Sequence, residues 1–246
     1  MAIKRMRVFA GPNGSGKTTI FKGILKENKV NLGVYVNSDE IEAQLNVNSF
    51  IDFNDYQITL DKEQIQDFFK KSSFSPSKRK EEDLYQKISI ENNFLTTTAV
   101  IDSYLAADLA EFIRQQLLFN GISFTYETVM SHPGKIDFLM KARQNGFKVY
   151  LYYVATEDPE ININRVKLRI EQDGHSVPEE VITSRYYKSL NNLREAVKQT
   201  DRAYIFDNSE SQANLIAEII DGADVTMNDA IEIPNWVAEY LLKAKD

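Results

Sequence analysis

Residues Gly11 to Thr18 read GPNGSGKT, and Thr19 follows. The spacing G-x-x-x-x-G-K-[ST] is a backbone device for holding phosphates. Gly11, Gly14 and Gly16 allow backbone angles closed to residues with a side chain. The loop N–H groups can then wrap an anion at the positive end of a helix dipole. Gly11, Pro12, Asn13, Gly14, Ser15, Gly16, Lys17, Thr18 and Thr19 form the candidate nucleotide cradle. Lys17 would reach the β- and γ-phosphates of ATP. The Thr18 hydroxyl would be the protein ligand of Mg²⁺, which binds through few side chains plus phosphate oxygens. The competing reading is a glycine-rich turn that fits the pattern by accident.

A phosphate loop does not name a reaction. Asp39, in Val36-Asn37-Ser38-Asp39-Glu40, could take a proton from an acceptor hydroxyl; it could equally cap a helix. Glu40 is the second choice. Glu127 and Thr128 could bind Mg²⁺ through water or hydrogen-bond an acceptor, or cap the next helix. Arg165 and Arg169 stand four apart and share a helix face, and Arg185 follows the glycine-containing stretch Gln172 to Pro178. Guanidinium forks there would suit the charge of a phosphoryl group in transfer. Pairing with Glu171, Glu179 or Glu180 is the plainer role. His132 reads as a loop residue or a substrate contact, and His175 could meet a base or a phosphate. Asn208, in Asp207-Asn208-Ser209, could read an adenine; Asp207 or Ser209 could instead cap a helix.

These residues need elements to carry them. Met6 to Ala10 reads as a buried strand, and Thr19 to Leu25 as the first turns of a helix with Ile20, Phe21, Ile24 and Leu25 on one face. Val34–Asn37, Ile122–Tyr126, Lys148–Val154 and Ala203–Phe206 read as further strands. Helical patterns cover Ala106 to Phe119, Gly134 to Asn145, Pro159 to Ile170, Pro178 to Lys198 and Ser211 to Ile220. Asn120-Gly121 and Asn145-Gly146 are helix stops. The alternation predicts an α/β fold: a parallel five-stranded sheet with helices on both faces. Asp39, Glu127 and Asp207 then end strands at the carboxyl edge, where ligands of such folds bind.

Residues 46–98 break the alternation and are expected to form an α-helical insertion in a single domain spanning 1–246. Helices are expected at Asp61 to Lys71 and Lys80 to Asn92, with a turn over Ser72 to Ser77. The Lys78-Arg79-Lys80 cluster could meet substrate phosphates or be solvated surface. Residues 223–246 are expected as an extension: a hairpin of Asp224–Met227 with Ala230–Ile233, then a helix from Pro234 that packs Trp236.

The chain has 246 residues, no cysteine and a net charge of −7. The acidic balance argues against a nucleic-acid partner. Without cysteine there are no disulfides, thiolate metal sites or Cys nucleophiles. The N-terminal stretch has no apolar run of signal-peptide length, and nothing approaches a membrane span. A soluble, cytoplasmic protein with no membrane partner is expected.

The ordered set of motifs resembles the zeta-toxin family of P-loop kinases, especially its small bacterial branch labelled predicted ABC-type ATPases. It comprises Gly11 to Thr18, Asn37-Ser38-Asp39, Phe124 to Thr128, Gly146 to Val149 and Arg165 to Arg169. It continues through Gly174 to Pro178, Arg185-Tyr186, Ser189 to Leu193 and Asp207 to Ser209. The resemblance implies a P-loop kinase-like sheet with a mobile arginine-bearing lid. It implies ATP and Mg²⁺ at Lys17 and Thr18, a general base at Asp39, a sugar-nucleotide contact at Glu127 and Thr128, and lid arginines at Arg165, Arg169 and Arg185. The toxins have an additional residue between those matching Glu127 and Thr128. Characterised zeta toxins phosphorylate UDP-N-acetylglucosamine and are held inactive by a small antitoxin. The expectation is an ATP-dependent kinase acting on a small-molecule hydroxyl, with a sugar nucleotide as substrate and an antitoxin as partner. The alternatives are an NTPase switch, for which no L-S-G-G-Q signature or strand ending in Asp-Glu is found, and a module that holds nucleotide without turnover.

Overall fold

The computed structural model describes residues 3–28, 31–71, 84–170 and 177–243. His175, the Ser72–Ser77 turn and the Lys78-Arg79-Lys80 cluster lie outside them. In chain order, β1 (Arg5–Ala10) leads through the glycine loop into α1 (Lys17–Asn28); β2 (Val34–Val36) and α2 (Ser38–Asn48) follow. Next come β3 (Phe50–Asp52), α3 (Lys62–Lys71), β4 (Ile88–Glu91), β5 (Phe94–Thr97) and α4 (Ser103–Phe119). Then come β6 (Phe124–Thr128), α5 (Gly134–Gln144), β7 (Lys148–Ala155), α6 (Pro159–Ile170) and α7 (Glu179–Lys198). The chain closes with β8 (Arg202–Asp207), β9 (Asn214–Ile220), β10 (Asp224–Met227) and the short α8 (Asn235–Val237).

These elements fall into two compact units: Met1–Asn31 with Thr125–Asp246, and Leu32–Phe124. In the first, strand order runs β10-β9-β8-β7-β1-β6. β1 and β8 both run parallel to β7, with Val8 opposite Leu151 and Ile205 opposite Tyr153. Alternation splits the side chains between two faces. On one, Met6, Val8, Leu151, Tyr153, Ala203 and Ile205 are fully buried. α7 is tied to this face by the hydrogen bond between the Ser189 and Tyr153 hydroxyls, 2.9 Å. On the other, Phe9 stacks on Tyr152 at 4.5 Å, and Tyr152 on Tyr204 at 5.0 Å. α1 meets that face edge-on through Phe21 against Phe9, 5.2 Å. Helices on both faces and a mostly parallel sheet agree with the α/β expectation.

The C-terminal part departs from it. Ser211 to Ile220 is not a helix; β9 pairs antiparallel with β8, with a bulge between Ile205 and Phe206. Leu215, Ile216, Ile219 and Ile220 recur at spacings that suit a helix. The open edge of β8 offers a full ladder of hydrogen bonds, and that pairing decides. Asp224–Met227 is indeed a strand, but it pairs with β9 rather than with Ala230–Ile233. After Pro234, α8 passes into a π-helical turn over Ala238–Leu242. Trp236, expected as packing, is 2% exposed.

In the second unit, α4 is capped by Asp102, whose carboxylate accepts from the N–H groups of Tyr104 and Leu105. Its apolar face buries Leu105, Leu109, Ile113 and Leu117 completely. Stretch 46–98 is not wholly helical. α3 lies within the expected Asp61–Lys71 span, but β3, β5 and β4 form a three-stranded antiparallel sheet. Asn93 organises it. Its side chain donates to the Ile58 carbonyl at 2.8 Å and accepts from the Leu60 N–H at 2.7 Å. Of the expected Lys80–Asn92 helix, the described part is a 3₁₀ turn over Leu84–Lys87 and then β4.

Candidate phosphate-binding site

β1 ends fully buried at Ala10 and delivers the chain to the glycine loop. The Gly11 N–H donates to the Thr128 carbonyl, 3.2 Å, which ties the loop to the end of β6. Gly14 has φ +75°, and a Cβ there would lie 2.6 Å from the Asn162 carbonyl oxygen. Gly16 has φ +96°, and a Cβ would collide with the Asn208 amide. Gly14 therefore needs glycine for conformation and for space, and Gly16 for conformation, the Asn208 side chain being what a Cβ there would displace. The Gly16 carbonyl accepts from the N–H groups of Thr19 and Ile20, 3.0 and 3.1 Å, and this starts α1.

Lys17 heads that helix with its ammonium turned back over the loop. It donates to the carbonyls of Gly11 at 3.0 Å and Pro12 at 2.8 Å. The Thr18 hydroxyl donates to the Glu127 carboxylate at 2.9 Å. Thr18 and Glu127, read separately from the sequence, are thus one hydroxyl–carboxylate pair. Glu127 is not a helix cap: α5 begins after Pro133 without a side-chain cap. The Thr128 hydroxyl accepts from the Met130 N–H at 3.3 Å. Met130 is fully buried with φ +58°, a left-handed conformation that costs a branched or bulky residue about 1–3 kcal/mol. Its carbonyl is held by Asn192 of α7, 2.9 Å. His132 accepts the Gly134 N–H at 3.1 Å and shapes the turn.

A second set of side chains holds the loop from outside. Asn162 of α6 is fully buried and donates to the Asn13 carbonyl at 2.6 Å. The Thr156 hydroxyl donates to the Asn162 side-chain oxygen. The Thr156 carbonyl accepts from the Tyr186 hydroxyl at 2.6 Å. Asn208 donates to the Ser15 carbonyl at 2.8 Å, so its amide group holds the loop. Arg165 donates to the carbonyls of Asn208 at 2.7 Å and Glu210 at 3.2 Å. Sequence reading missed Asn162, because no motif marks a side chain that acts on a carbonyl 149 residues away, and with it Thr156 and Tyr186, which act on the loop only through Asn162.

The three arginines have separate fates. Arg165 is engaged as above. Arg169 and Arg185 make no hydrogen bond or ion pair among the described residues, and Glu179 pairs with Lys167 at 2.8 Å instead. Asp207 caps no helix. Its carboxylate accepts from Ser209 N–H and Oγ, 3.0 and 2.9 Å, and from the Trp236 indole, 2.8 Å. In the second unit, Asn37 caps α2 by accepting from the Asp39 N–H, 2.9 Å. Asp39 is therefore not the cap; it is exposed in the first turn, and its carboxylate makes no hydrogen bond among the described residues. Glu40 follows it, also exposed.

Loop N–H groups, one ammonium and a hydroxyl paired with a carboxylate suit a polyphosphate with a hard divalent cation. Among the described residues no group of three or more His, Asp or Glu could hold a metal alone. Thr18 and Glu127 supply only hard oxygen donors, which fits Mg²⁺. Fold and site together define a P-loop kinase-like protein. The zeta toxin family profile matches residues 90–218, just over half of the chain, and the chain belongs to that family. The match begins after the glycine loop and Asp39 and takes in Glu127, Arg165, Arg169, Arg185 and Asn208.

An uncharacterised protein of Haemophilus influenzae is 35% identical over 65 residues, 26% of this chain and 46% of its own length. The match thus spans about half of that relative. Among solved structures, the AvrRxo1-ORF1:-ORF2 complex with ATP superposes with a TM-score of 0.53 at 15% identity, over 93% of this chain and 62% of the other. The PezAT chromosomal toxin-antitoxin system of Streptococcus pneumoniae gives 0.50 at 17% identity, over 88% and 70%. These likenesses show the fold. No helix among the described residues is long and apolar enough to cross a membrane.

Proposed function

We propose that the protein is an ATP-dependent phosphotransferase that moves the γ-phosphate of ATP to a hydroxyl of a small molecule. A sugar nucleotide such as UDP-N-acetylglucosamine is the first candidate. The observation that supports this best is the hydrogen bonding around the glycine loop: Lys17 folded over the loop, and Thr18 bonded to Glu127. Lys17 exchanges its loop carbonyls for phosphate oxygens when ATP binds. Thr18, with Glu127 behind it, holds Mg²⁺, which neutralises phosphate charge. Asp39 takes the acceptor proton, and its freedom from capping supports that role. Arg169 and Arg185, without partners among the described residues, are the guanidinium groups available to the transferred phosphoryl group. Glu127 and Thr128 contribute acceptor contacts. The family and the likeness to a toxin-antitoxin system support a small antitoxin protein as the proposed partner, and the cytoplasm is the proposed location.

The test is ADP release by purified protein, with and without UDP-N-acetylglucosamine, beside Asp39→Asn. Release that needs both the sugar nucleotide and Asp39 supports the proposal. Hydrolysis indifferent to both, and to a panel of other hydroxyl-bearing metabolites, replaces it with an NTPase. Binding without any ADP release leaves a nucleotide-holding module.

A further inference from the structure

The glycine loop is shaped from outside as well as by its own glycines. Asn162 and Asn208 flank Gly14 in the same manner. One donates to the carbonyl before Gly14, Asn13 at 2.6 Å; the other to the carbonyl after it, Ser15 at 2.8 Å. A peptide carbonyl drawn outward turns the N–H of the next residue the other way. Each asparagine is itself held. The Asn162 oxygen is taken by the Thr156 hydroxyl, and the Thr156 backbone by Tyr186. Asn208 donates its own N–H to Ala155 at 2.8 Å, and its carbonyl receives the Arg165 guanidinium at 2.7 Å. Gly14 and Gly16 leave no room for a Cβ against these two residues, so they set the loop's position as well as its hydrogen bonds.

We infer that Asn162 and Asn208 are positioning residues for nucleotide phosphates, with Arg165 as the strut of Asn208. They act through the loop backbone without touching the nucleotide. This changes the expected roles of Asn208 and Arg165, from base reader and γ-phosphate ligand to supports of the cradle. It rests on the reading of Gly11 to Thr18 as a phosphate cradle. Pre-organised donors bind an anion without reorganisation, so loss of a brace appears as weaker phosphate binding.

Two probes separate this from a base contact. Mg²⁺–ATP and Mg²⁺–tripolyphosphate are titrated by calorimetry into wild type, Asn162→Ala, Asn208→Ala and Arg165→Lys. Melting without ligand is recorded beside each. The expected result is a loss of about tenfold or more for both asparagine variants. The loss should be equal for the two probes, with a smaller loss for Arg165→Lys. Equal loss is what a base contact cannot produce, and an unchanged ligand-free melting temperature in Asn208→Ala is what general destabilisation cannot produce. Affinities within twofold of wild type overturn the inference, as does an Asn208→Ala loss confined to ATP. If Asn162→Ala fails to fold, the half-buried Asn208 decides alone. Wild type that binds neither probe refutes the cradle itself. Wild type that binds both, with variants unaffected, refutes only the brace.

Discussion

At the scale of single residues, the loop glycines and one buried carboxylate make the sharpest demands. Gly14→Ala places a methyl group 2.6 Å from the Asn162 carbonyl oxygen at a φ of +75°. The loop must shift, and ATP affinity is expected to fall more than tenfold, read by calorimetry, while Gly23→Ala, with nothing within 4 Å, binds as wild type. Trp236→Phe keeps the packing but removes the indole donor from Asp207. A buried carboxylate short of a donor costs about 1–3 kcal/mol, which a denaturant titration would record as a lower midpoint at unchanged slope. Asp201 gives a pH signature. Burial pushes its pKa up, but the Lys148 ammonium at 2.6 Å and the Val149 N–H at 2.8 Å outweigh that, and the net shift is downward. A lowered folded-state pKa stabilises above the unfolded value of about 4, and that stability is lost as pH falls through the folded value. Asp201→Asn should therefore melt below wild type at pH 7. The gap should close in acid below about pH 4, and a gap that widens there would contradict the assignment.

At the scale of elements, α7 is the piece that holds the carboxyl edge of the sheet together. Tyr186 reaches Thr156, Ser189 reaches Tyr153, and Asn192 reaches Met130. Three hydrogen bonds from one helix, with Tyr186 and Ser189 buried, fix the ends of β6 and β7 on which the site depends. Burial raises the pKa of the Tyr153 and Tyr186 hydroxyls, so both stay protonated at any working pH, Tyr186 as the donor to Thr156. Tyr186→Phe should cost about 1 kcal/mol in stability, and more if the Thr156 carbonyl finds no other donor. Amide exchange should be ordered by place in the sheet: slowest in β1 and β7, fastest in β10, an edge strand whose first three residues are exposed. Uniform protection across the sheet would show that β10 is covered by something else.

For the whole molecule, binding at one loop should be visible as global stability. A ligand at a hundredfold its Kd stabilises by about 2.7 kcal/mol, which raises the melting temperature by roughly 5–10 °C for a chain of this size. Mg²⁺–ATP is expected to do this for wild type and not for Lys17→Ala, because Lys17 supplies the ammonium of the cradle. An equal rise in both would remove the loop from nucleotide binding. The net charge of −7 does not oppose this, since the donors proposed to meet phosphate are backbone N–H groups and one lysine rather than the surface at large.

The sequence by itself determined what is written in short-range pattern. The glycine loop, the strands β1, β2, β6, β7 and β8, and helices α1, α3 and α4 to α7 all follow from spacings within about twenty residues, which is the range over which periodicity and capping act. The residues of the cradle were legible for the same reason. Tertiary structure alone decided what depends on partners distant in the chain. β9 became a strand because β8 presented an open edge, and β3 to β5 formed a sheet where composition suggested helices. The Thr18–Glu127 pair spans 109 residues, and Asn208 meets Ser15 across 193. A hydrogen bond depends on positions in space, and separation along the chain carries no sign of it. Arg165 and Arg169 share a helix face in sequence, yet one turn of helix separates an arginine bound to two carbonyls from one that has no partner among the described residues.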